Sequence, residues 1–372
     1  MTTLTDAFRA NFNGDFIPDG ANLFGSVGDL FFFDNFGDKA IWLEDGNGNR
    51  LAISPNGFDL PFTGPTWHIA ATADFDSATK VLSPLGDGPG PAAASDLLWQ
   101  NDNGDLAIWQ STGGNLNPFS GSNQANLPNP GAGWHVADAN DFDGNGAADI
   151  LFQHTSGVLA IWEFQSAFPG VGNVLKGAPV IKPDGQLNVD QNPGATWHVA
   201  ATGDISGDIV SGIVFQNDNG AIAAWENPTL VAGQIHFDIQ SNLPNPGPGW
   251  HVVGMGNITE QGFNTDTPGQ DIILQNDNGA IAIWQLAIVN DQVVRNNIEG
   301  TDPTGFNLGN PGAGWHVVGV RDMNVDGKAD ILLQNDNGAA AVWTNIQTNG
   351  THDGFNINPN PNPSGHLDWH VV

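Results

Sequence analysis

A block of short apolar runs separated by polar turns recurs six times along the 372-residue chain. In the last complete copy, residues 315–319 form a first apolar run, 322–330 a polar loop, and 331–333 a second run. Residues 335–338 read Asn-Asp-Asn-Gly, which predicts a hairpin turn because glycine accepts a positive φ angle. Residues 339–343 form a third run. Such β-rich runs between turn residues predict strands, and the rest of each copy is long enough for a fourth strand.

Three landmarks hold these copies in register, at intervals that rule out chance. A Trp-His pair begins a run at Trp67, Trp134, Trp197, Trp250, Trp315 and Trp369. A second tryptophan lies in the third run at Trp42, Trp109, Trp162, Trp225, Trp284 and Trp343. Thirteen residues before that tryptophan stands Asp29, Asp96, Asp149, Asp271 or Asp330, with Gly212 in the fourth copy. Constant spacing indicates paired strands, whereas the segments of variable length indicate loops.

Four antiparallel strands in each repeat predict an all-β chain folded as one β-propeller over residues 1–372. We expect six blades and keep seven as the alternative. The expected blade repeats are 11–66 with 367–372, 67–133, 134–196, 197–249, 250–314 and 315–366. The chain starts within a blade and ends in a lone first strand, so we expect the C-terminal strand to complete the N-terminal blade. Closure of this kind removes an exposed sheet edge.

The charge balance is strongly acidic and narrows the choice of partners. The chain has 40 acidic and 9 basic residues, a net charge of −31. This charge disfavours nucleic acid, whose phosphates it repels, and it suits a protein that binds calcium. There is no cysteine, and no apolar run reaches the roughly 18 residues of a membrane span, so we expect no membrane insertion. No Sec-type signal is visible at the N-terminus.

The polar loop of the sixth copy, Asp322-x-Asn-x-Asp-Gly-x-x-Asp330 followed by an apolar run, resembles the FG-GAP/VCBS repeat family. Repeats of this family build the propellers of integrin α-subunits, of some fungal lectins and of many exported bacterial proteins. The resemblance spans nearly the whole chain. It implies that loops between the first two strands of a blade hold calcium, and that the protein lies outside the cell or on its surface.

The residues of these loops also favour calcium on chemical grounds, because Ca²⁺ binds six to eight oxygens supplied by alternate loop residues. Two complete sets are Asp141, Asp143, Asn145 and Asp149, and Asp322, Asn324, Asp326 and Asp330. A less complete set is Asn11, Asn13, Asp15 and Asp19. The second, fourth and fifth copies lack ligands, so we expect them to be empty or weak. The alternative is a set of Asx-turn loops that need no ion.

Other marked residues have both a structural and a functional interpretation. The Trp-His pairs are interpreted as inter-blade core with hydrogen-bonded histidines, and alternatively as a metal site on a central axis. The recurring Gln-Asn-Asp-Asn-Gly segments are hairpin turns or amides that bind sugar hydroxyls. The third-run tryptophans are core residues or sugar-binding platforms, and the ligand-binding candidates are Trp109, Trp162, Trp225, Trp284 and Trp343.

The sequence contains no G-x-S-x-G, H-E-x-x-H or P-loop motif, so we expect no catalysis. The leading hypothesis is a non-catalytic, calcium-stabilised extracellular propeller that binds glycans, since repeated sites favour multivalent binding of a repeated ligand. The alternatives are a protein-interaction or adhesion module and, second, a propeller enzyme such as a polysaccharide lyase or hydrolase.

Overall fold

The computed structural model describes residues 30–33, 39–42, 58–59, 66–75, 95–111, 124–164, 181–258, 269–295, 306–324, 326, 328–357 and 370–371. Side chains are described outside residues 30–33, 39–42, 58–59, 181–184 and 370–371. The described residues form 26 β-strands, most of them in six four-stranded antiparallel sheets. Among these residues, no helix is long and apolar enough to cross a membrane.

The first sheet joins the two ends of the described chain. Its strands are β1 (Leu30–Phe33), β2 (Lys39–Trp42), β3 (Phe58–Asp59) and β26 (His370–Val371). The sheet has the order β26-β1-β2-β3. The prediction that the C-terminal strand pairs with the N-terminal sheet is therefore confirmed, with Phe32 opposite Val371 and Phe33 opposite His370.

The second and third sheets each consist of four strands that follow one another along the chain. The second contains β4 (Trp67–Ala73), β5 (Asp96–Asn101), β6 (Leu106–Trp109) and β7 (Gln124–Leu127). The third contains β8 (Trp134–Asn140), β9 (Asp149–His154), β10 (Leu159–Phe164) and β11 (Ile181–Asn188).

The fourth sheet carries a longer outer hairpin than the others. It contains β12 (Trp197–Gly203), β13 (Gly212–Asn217), β14 (Ile222–Val231) and β15 (Gln234–Leu243). Strands β14 and β15 are ten residues long and pair from Ile222 with Leu243 out to Val231 with Gln234.

The fifth sheet contains an inserted hairpin, and the sixth is regular. The fifth contains β16 (Trp250–Gly256), β17 (Asp271–Asn276), β18 (Ile281–Trp284) and β21 (Phe306–Gly309). Its insertion is the two-stranded sheet of β19 (Leu286–Ile288) and β20 (Val293–Arg295). The sixth contains β22 (Trp315–Arg321), β23 (Asp330–Asn335), β24 (Ala340–Thr344) and β25 (Asp353–Asn356).

Sheets two to six are five consecutive blades of a β-propeller, which confirms the predicted all-β propeller of four-stranded antiparallel blades. Their first strands lie side by side in the order β4, β8, β12, β16 and β22. Each of these five strands has a register shift two to four residues after its tryptophan, between Ile69 and Ala71 in β4, for example. A β-bulge repeated at one position bends every innermost strand in the same way. We number these blades two to six after their sheets.

The hydrophobic core lies between the blades. One cluster joins Leu98 of blade two to Phe152 and Trp162 of blade three, and equivalent clusters fill the next three interfaces. The tryptophans of the Trp-His pairs pack against these clusters at Trp134, Trp197, Trp250 and Trp315. The prediction that these residues form inter-blade core is confirmed for these four, while Trp369 lies outside the described residues.

A glutamine in the hairpins of blades two to five adds a polar link to the next blade, which we call the glutamine staple. Gln216 accepts a hydrogen bond from the Val252 backbone N–H at 3.0 Å and donates one to the Trp250 carbonyl at 2.8 Å. Gln153 and Gln275 make the same pair of bonds, and Gln100 accepts the first of them. This glutamine opens the Gln-Asn-Asp-Asn-Gly segment in three of these blades, so its amide is used in joining neighbouring blades.

Candidate functional site

Each of the five blades has two ends that carry recurring polar residues. At one end, which we call the loop face, the polar loop joins the first strand of a blade to the second. At the other end, the hairpin face, the second strand turns back into the third, next to the Trp-His pair. The sequence-predicted calcium ligands belong to the loop face.

Loop three, residues 141–149, brings together three of its four predicted ligands. Ligand oxygens of Asp141, Asp143 and Asp149 lie within 4.8 Å of one another. Backbone N–H groups turn the loop around Asp141, whose carboxylate accepts hydrogen bonds from Gly144 at 2.7 Å and Gly146 at 2.8 Å. The Asn145 side-chain oxygen accepts from the Ala147 N–H at 2.8 Å, and its amide nitrogen donates to Asp143 at 2.9 Å.

Asp149 is fully buried and holds the base of loop three. Its carboxylate accepts hydrogen bonds from the backbone N–H groups of Phe142 and Phe164, both at 2.9 Å. Burial raises the pKa of Asp149 well above its usual range; the two hydrogen bonds oppose the shift, and the charges of Asp141 and Glu163 add to it. A cation in the loop would stabilise the ionised form of these carboxylates.

Loop six, residues 322–330, contains the second predicted calcium set. Asp330 is buried and accepts a hydrogen bond from the Met323 N–H at 2.8 Å, while no residue in the described part of the chain donates to its Oδ1 atom. Burial, followed by the charges of Asp326 and Asp322, raises the pKa of Asp330 to about 8. Asn324 donates to Asp326 at 3.1 Å. Among the described residues, the carboxylates of this loop do not form a group like that of loop three.

The less complete predicted calcium set belongs to the first repeat. Its members, Asn11, Asn13, Asp15 and Asp19, lie outside the described residues.

The closing aspartate of blade two is also held by the backbone. Asp96 is buried and accepts hydrogen bonds from the backbone N–H groups of Phe75 at 3.2 Å and Ser111 at 2.8 Å. Asp149 accepts the equivalent pair of backbone hydrogen bonds in blade three. The closing aspartate therefore has a structural role that does not depend on an ion.

Loop four, residues 204–212, contains a carboxylate group that sequence reasoning missed. Ligand oxygens of Asp204, Asp208 and Glu226 lie within 4.8 Å of one another. Glu226 directly follows the third-run tryptophan of blade four, and Gly212 stands where other repeats have an aspartate. The signal available in the sequence was this pairing of a missing aspartate with an acidic residue fourteen positions later.

Glu226 is fully buried at the loop face. Burial, then the charges of Asp208 and Asp204, raises the pKa of Glu226 to about 8. The same effect of burial raises the pKa of Asp204, although three backbone N–H groups donate to its carboxylate. Position 212 lacks the closing aspartate, as the sequence indicates, but strand β14 supplies a carboxylate to this loop from Glu226.

Backbone hydrogen bonds connect the loops of neighbouring blades. The N–H of the residue before each closing position donates to the carbonyl of the first loop residue in the preceding blade. These bonds are Ala148 to Asp74, Ser211 to Asp141, Gln270 to Asp204 and Ala329 to Asn257, at 2.7–2.9 Å. An ion that orders one loop would therefore also order an inter-blade contact.

The hairpin face presents a repeated histidine–aspartate pair. The Nε2 atom of the histidine lies 2.8–2.9 Å from an aspartate oxygen in four blades: His68–Asp102, His198–Asp218, His251–Asp277 and His316–Asp336. More than half of each side chain is exposed. The interpretation of these histidines as hydrogen-bonded residues is confirmed in these blades. Blade three differs, because Thr155 occupies the aspartate position.

His135 of blade three is accordingly distinct. Burial lowers its pKa, and the neighbouring His198 and His154 lower it further. His135, His198 and His251 line a cavity of about 670 Å³ across blades three to five. Its size is in the range of small-molecule sites, roughly 300–1,000 Å³.

The hairpin residues between the glutamine and the glycine form tight turns. In blade four, the Gly220 N–H donates to the Asn217 carbonyl at 2.7 Å, and the Asn217 side chain accepts from the Asn219 N–H at 3.2 Å. Gly220 has a φ angle of 84°. The prediction of a hairpin turn is confirmed.

Four of the five tryptophans predicted as ligand-binding candidates are core residues. Trp109, Trp162, Trp225 and Trp284 are at most 8% exposed. A sugar ring cannot stack on them here, because aromatic neighbours such as Phe152, 4.7 Å from Trp162, cover the indole rings. Trp343 is half-buried and stacks on His352 at a centroid distance of 3.9 Å.

No protein-family model and no curated protein matches this sequence. Among solved structures, the chain is similar to a crystal structure of BBS1N in complex with ARL6DN, soaked with mercury, at 12% identity and a TM-score of 0.37. That match covers 84% of this chain and 73% of the other. It is also similar to the Dos1 propeller, at 10% identity and a TM-score of 0.37, over 88% of this chain and 67% of the other.

Proposed function

We propose that this chain is a calcium-stabilised, non-catalytic propeller of the FG-GAP/VCBS type that binds glycans outside the cell. The proposal includes a closed ring of six blades, in which the first sheet is blade one beside the five blades numbered two to six. Two observations support this closure: six four-stranded sheets are described, and strand β26 pairs with β1.

The carboxylates of loop three support a calcium site. Three of them converge within 4.8 Å around a turn of backbone N–H groups. Hard oxygen donors of this kind suit Ca²⁺, and extracellular modules bind it at roughly 10⁻⁴–10⁻³ M. The proposed ion would take its side-chain ligands from Asp141, Asp143 and Asp149. Because the Asp141 carbonyl also accepts from Ser211, the ion would strengthen the interface between blades three and four.

The single observation that carries the binding function is the repetition of one exposed His–Asp pair in four blades. Imidazole and carboxylate groups donate and accept hydrogen bonds, as recognition of sugar hydroxyls requires. Equal copies around one face suit a repeated ligand, because multivalent contact raises the overall affinity. This repetition favours binding over a lyase or hydrolase activity, which requires one blade-specific set of groups.

A glycan array with and without EGTA tests the glycan proposal. We expect binding that free sugar competes away and that weakens in a variant with Asp218→Asn and Asp277→Asn, which alters two pairs beside the 670 Å³ cavity. The matched control is Asp190→Asn, an acidic residue bonded to His236 away from these pairs. Absence of glycan binding at any calcium concentration would reject a lectin.

Exposed apolar residues favour a protein partner as the second candidate. Leu230 and Val231, at the tip of the β14–β15 hairpin, and Val289, in the β19–β20 hairpin, are 41–67% exposed. An adhesion module would bind its partner through such residues without competition from free sugar. Replacing Leu230 and Val231 with Ser would weaken protein binding and leave glycan binding unchanged.

Thermal unfolding tests the calcium proposal. An ion at about 100 times its Kd stabilises the folded state by about 2.7 kcal/mol, so we expect calcium to raise Tm and EGTA to reverse the rise. Asp143→Asn removes one charge from loop three and should reduce the calcium-induced rise, whereas Asp336→Asn on the hairpin face should not. Unfolding that is indifferent to calcium would reject the metal assignment.

A further inference from the structure

The Glu226 carboxylate occupies the space that a side chain at position 212 would need. A Cβ atom built on Gly212 would lie 2.0 Å from Oε2 of Glu226 and 2.7 Å from the Trp225 carbonyl oxygen. The Glu226 carboxylate therefore fills the space into which the closing aspartate of other blades extends. Any side chain at position 212 would displace it.

The Glu226 carboxylate points into the loop-four group rather than into apolar core. Its oxygen lies within 4.8 Å of oxygens of Asp204 and Asp208, and Ser206 Oγ is 3.4 Å from its Oε1 atom. The site therefore contains three carboxylates and one hydroxyl, all of them oxygen donors.

One of these oxygens is left without a hydrogen bond by the residues that the structure describes. Glu226 Oε2 is buried, and none of them donates to it. A buried carboxylate oxygen without a partner costs free energy, and a second and third carboxylate beside it add repulsion. By contrast, both oxygens of Asp149 in loop three accept backbone N–H groups. A divalent cation would satisfy the vacant oxygen and offset the repulsion.

We propose that loop four binds a calcium ion through Asp204, Asp208 and Glu226, with Glu226 from strand β14 replacing the closing aspartate. This inference deepens the proposed calcium-stabilised function and rests on it for the identity of the ion. The ligand set is independent of loop three, because it uses a different blade and a residue from a different strand.

Calcium counting after equilibrium dialysis tests this site. We compare the full chain with Glu226→Gln, Asp143→Asn, the double variant and Asp218→Asn, and measure bound calcium by atomic emission. Glu226→Gln should lose one calcium ion per chain at a calcium concentration that just saturates the parent. Asp218→Asn is the matched control, since it removes one carboxylate of the same blade on the hairpin face, and it should bind as many ions as the parent.

The outcomes separate this inference from the general calcium proposal. If Asp143→Asn loses an ion and Glu226→Gln does not, the loop-four site is overturned and the loop-three site stands. If only Glu226→Gln loses an ion, the loop-three site is overturned and the loop-four site stands. If the parent binds no calcium, both are overturned.

Thermal unfolding distinguishes the loss of a calcium ligand in Glu226→Gln from a general folding defect. In EGTA, Glu226→Gln should unfold at or above the Tm of the parent, because an uncharged amide replaces a buried carboxylate. In calcium, its rise in Tm should be smaller than that of the parent. An equal loss of Tm in EGTA and in calcium would show a purely structural role for Glu226 and overturn the proposal.

Discussion

Blades three and four form the same loop-face arrangement by different routes. In blade three, the closing carboxylate is Asp149 at the start of the second strand, β9. In blade four that position is Gly212, and the carboxylate comes from Glu226 on the third strand, β14. Both carboxylates are fully buried beside two loop aspartates.

The two blades differ in how the carboxylate is held. Asp149 accepts two backbone N–H groups, so it supports the loop even without an ion. Glu226 has one oxygen to which none of the described residues donates a hydrogen bond. The hairpin face shows a second difference, since His198 has Asp218 as its partner, whereas blade three has Thr155 at the position equivalent to Asp218. Two blades of the same chain can therefore place a carboxylate at the same point in space from different positions in their repeats.

The largest effect is expected from Asp149→Ala. The substitution leaves the backbone N–H groups of Phe142 and Phe164 without their acceptor in the core. Each of the two unsatisfied buried donors costs about 1–3 kcal/mol, so we expect the free energy of unfolding to fall by about 2–6 kcal/mol in EGTA. Denaturant unfolding measures it, with Asp149→Asn as the milder control. A fall in unfolding free energy of less than about 1 kcal/mol would show that these two hydrogen bonds do not stabilise the fold.

Gly212→Ala tests whether the closing position of blade four must lack a side chain. The new Cβ would overlap Glu226 Oε2 and the Trp225 carbonyl oxygen. Overpacking of this kind costs about 1–3 kcal/mol. The combination with Glu226→Ala should cost less than the sum of the two single changes, because it removes one of the overlapping atoms. Additive losses in this double-mutant cycle would show that Glu226 does not occupy the space beside Gly212.

The pH dependence of stability tests the burial of Glu226 in loop four. In metal-free protein, the folded-state pKa of Glu226 is raised from 4.5 to about 8, mainly by burial. The folded state then binds more protons than the unfolded state in this window, so stability falls as pH rises from about 4.5 to about 8. Glu226→Gln should flatten this slope, and saturating calcium should reduce it in the parent. Identical slopes in parent and variant would contradict the assignment.

The smallest effect is expected at the hairpin face. Thr155→Asp in blade three places a carboxylate at the position that pairs with histidine in four other blades. The pKa of His135, lowered mainly by burial, should then rise, as NMR titration of the imidazole would show. Stability should change by less than about 1 kcal/mol, since exposed ion pairs contribute little. Thr155→Asn is the uncharged control, and an unchanged pKa would mean that the two side chains do not meet.

Much of the fold was predictable because the repeat itself carries the information. Trp-His starts, the thirteen-residue spacing and the Asn-Gly turns place the strands. The strands described within each predicted repeat form one four-stranded sheet, with an added two-stranded sheet in the fifth repeat. The β-bulges were not predictable, since they depend on the fit between neighbouring innermost strands. The inserted β19–β20 hairpin was also missed, because its strands are only three residues long.

The candidate site was predictable only where its residues are close in sequence. The convergence of Asp141, Asp143 and Asp149 follows from their spacing in one loop, whereas the burial of Trp162 and Trp225 follows from the next blade. The staple of Gln216 to Val252 spans 36 residues, and no local pattern indicates it.

The sequence alone determined the repeating four-stranded unit and its acidic loops, because strand pairing and turn formation depend on local spacing and residue type. Only the tertiary structure decided which carboxylate closes loop four and which aromatic faces are covered. Those outcomes depend on side chains of different strands and blades meeting in space, and the absence of a Cβ atom at Gly212 leaves room for the carboxylate of Glu226.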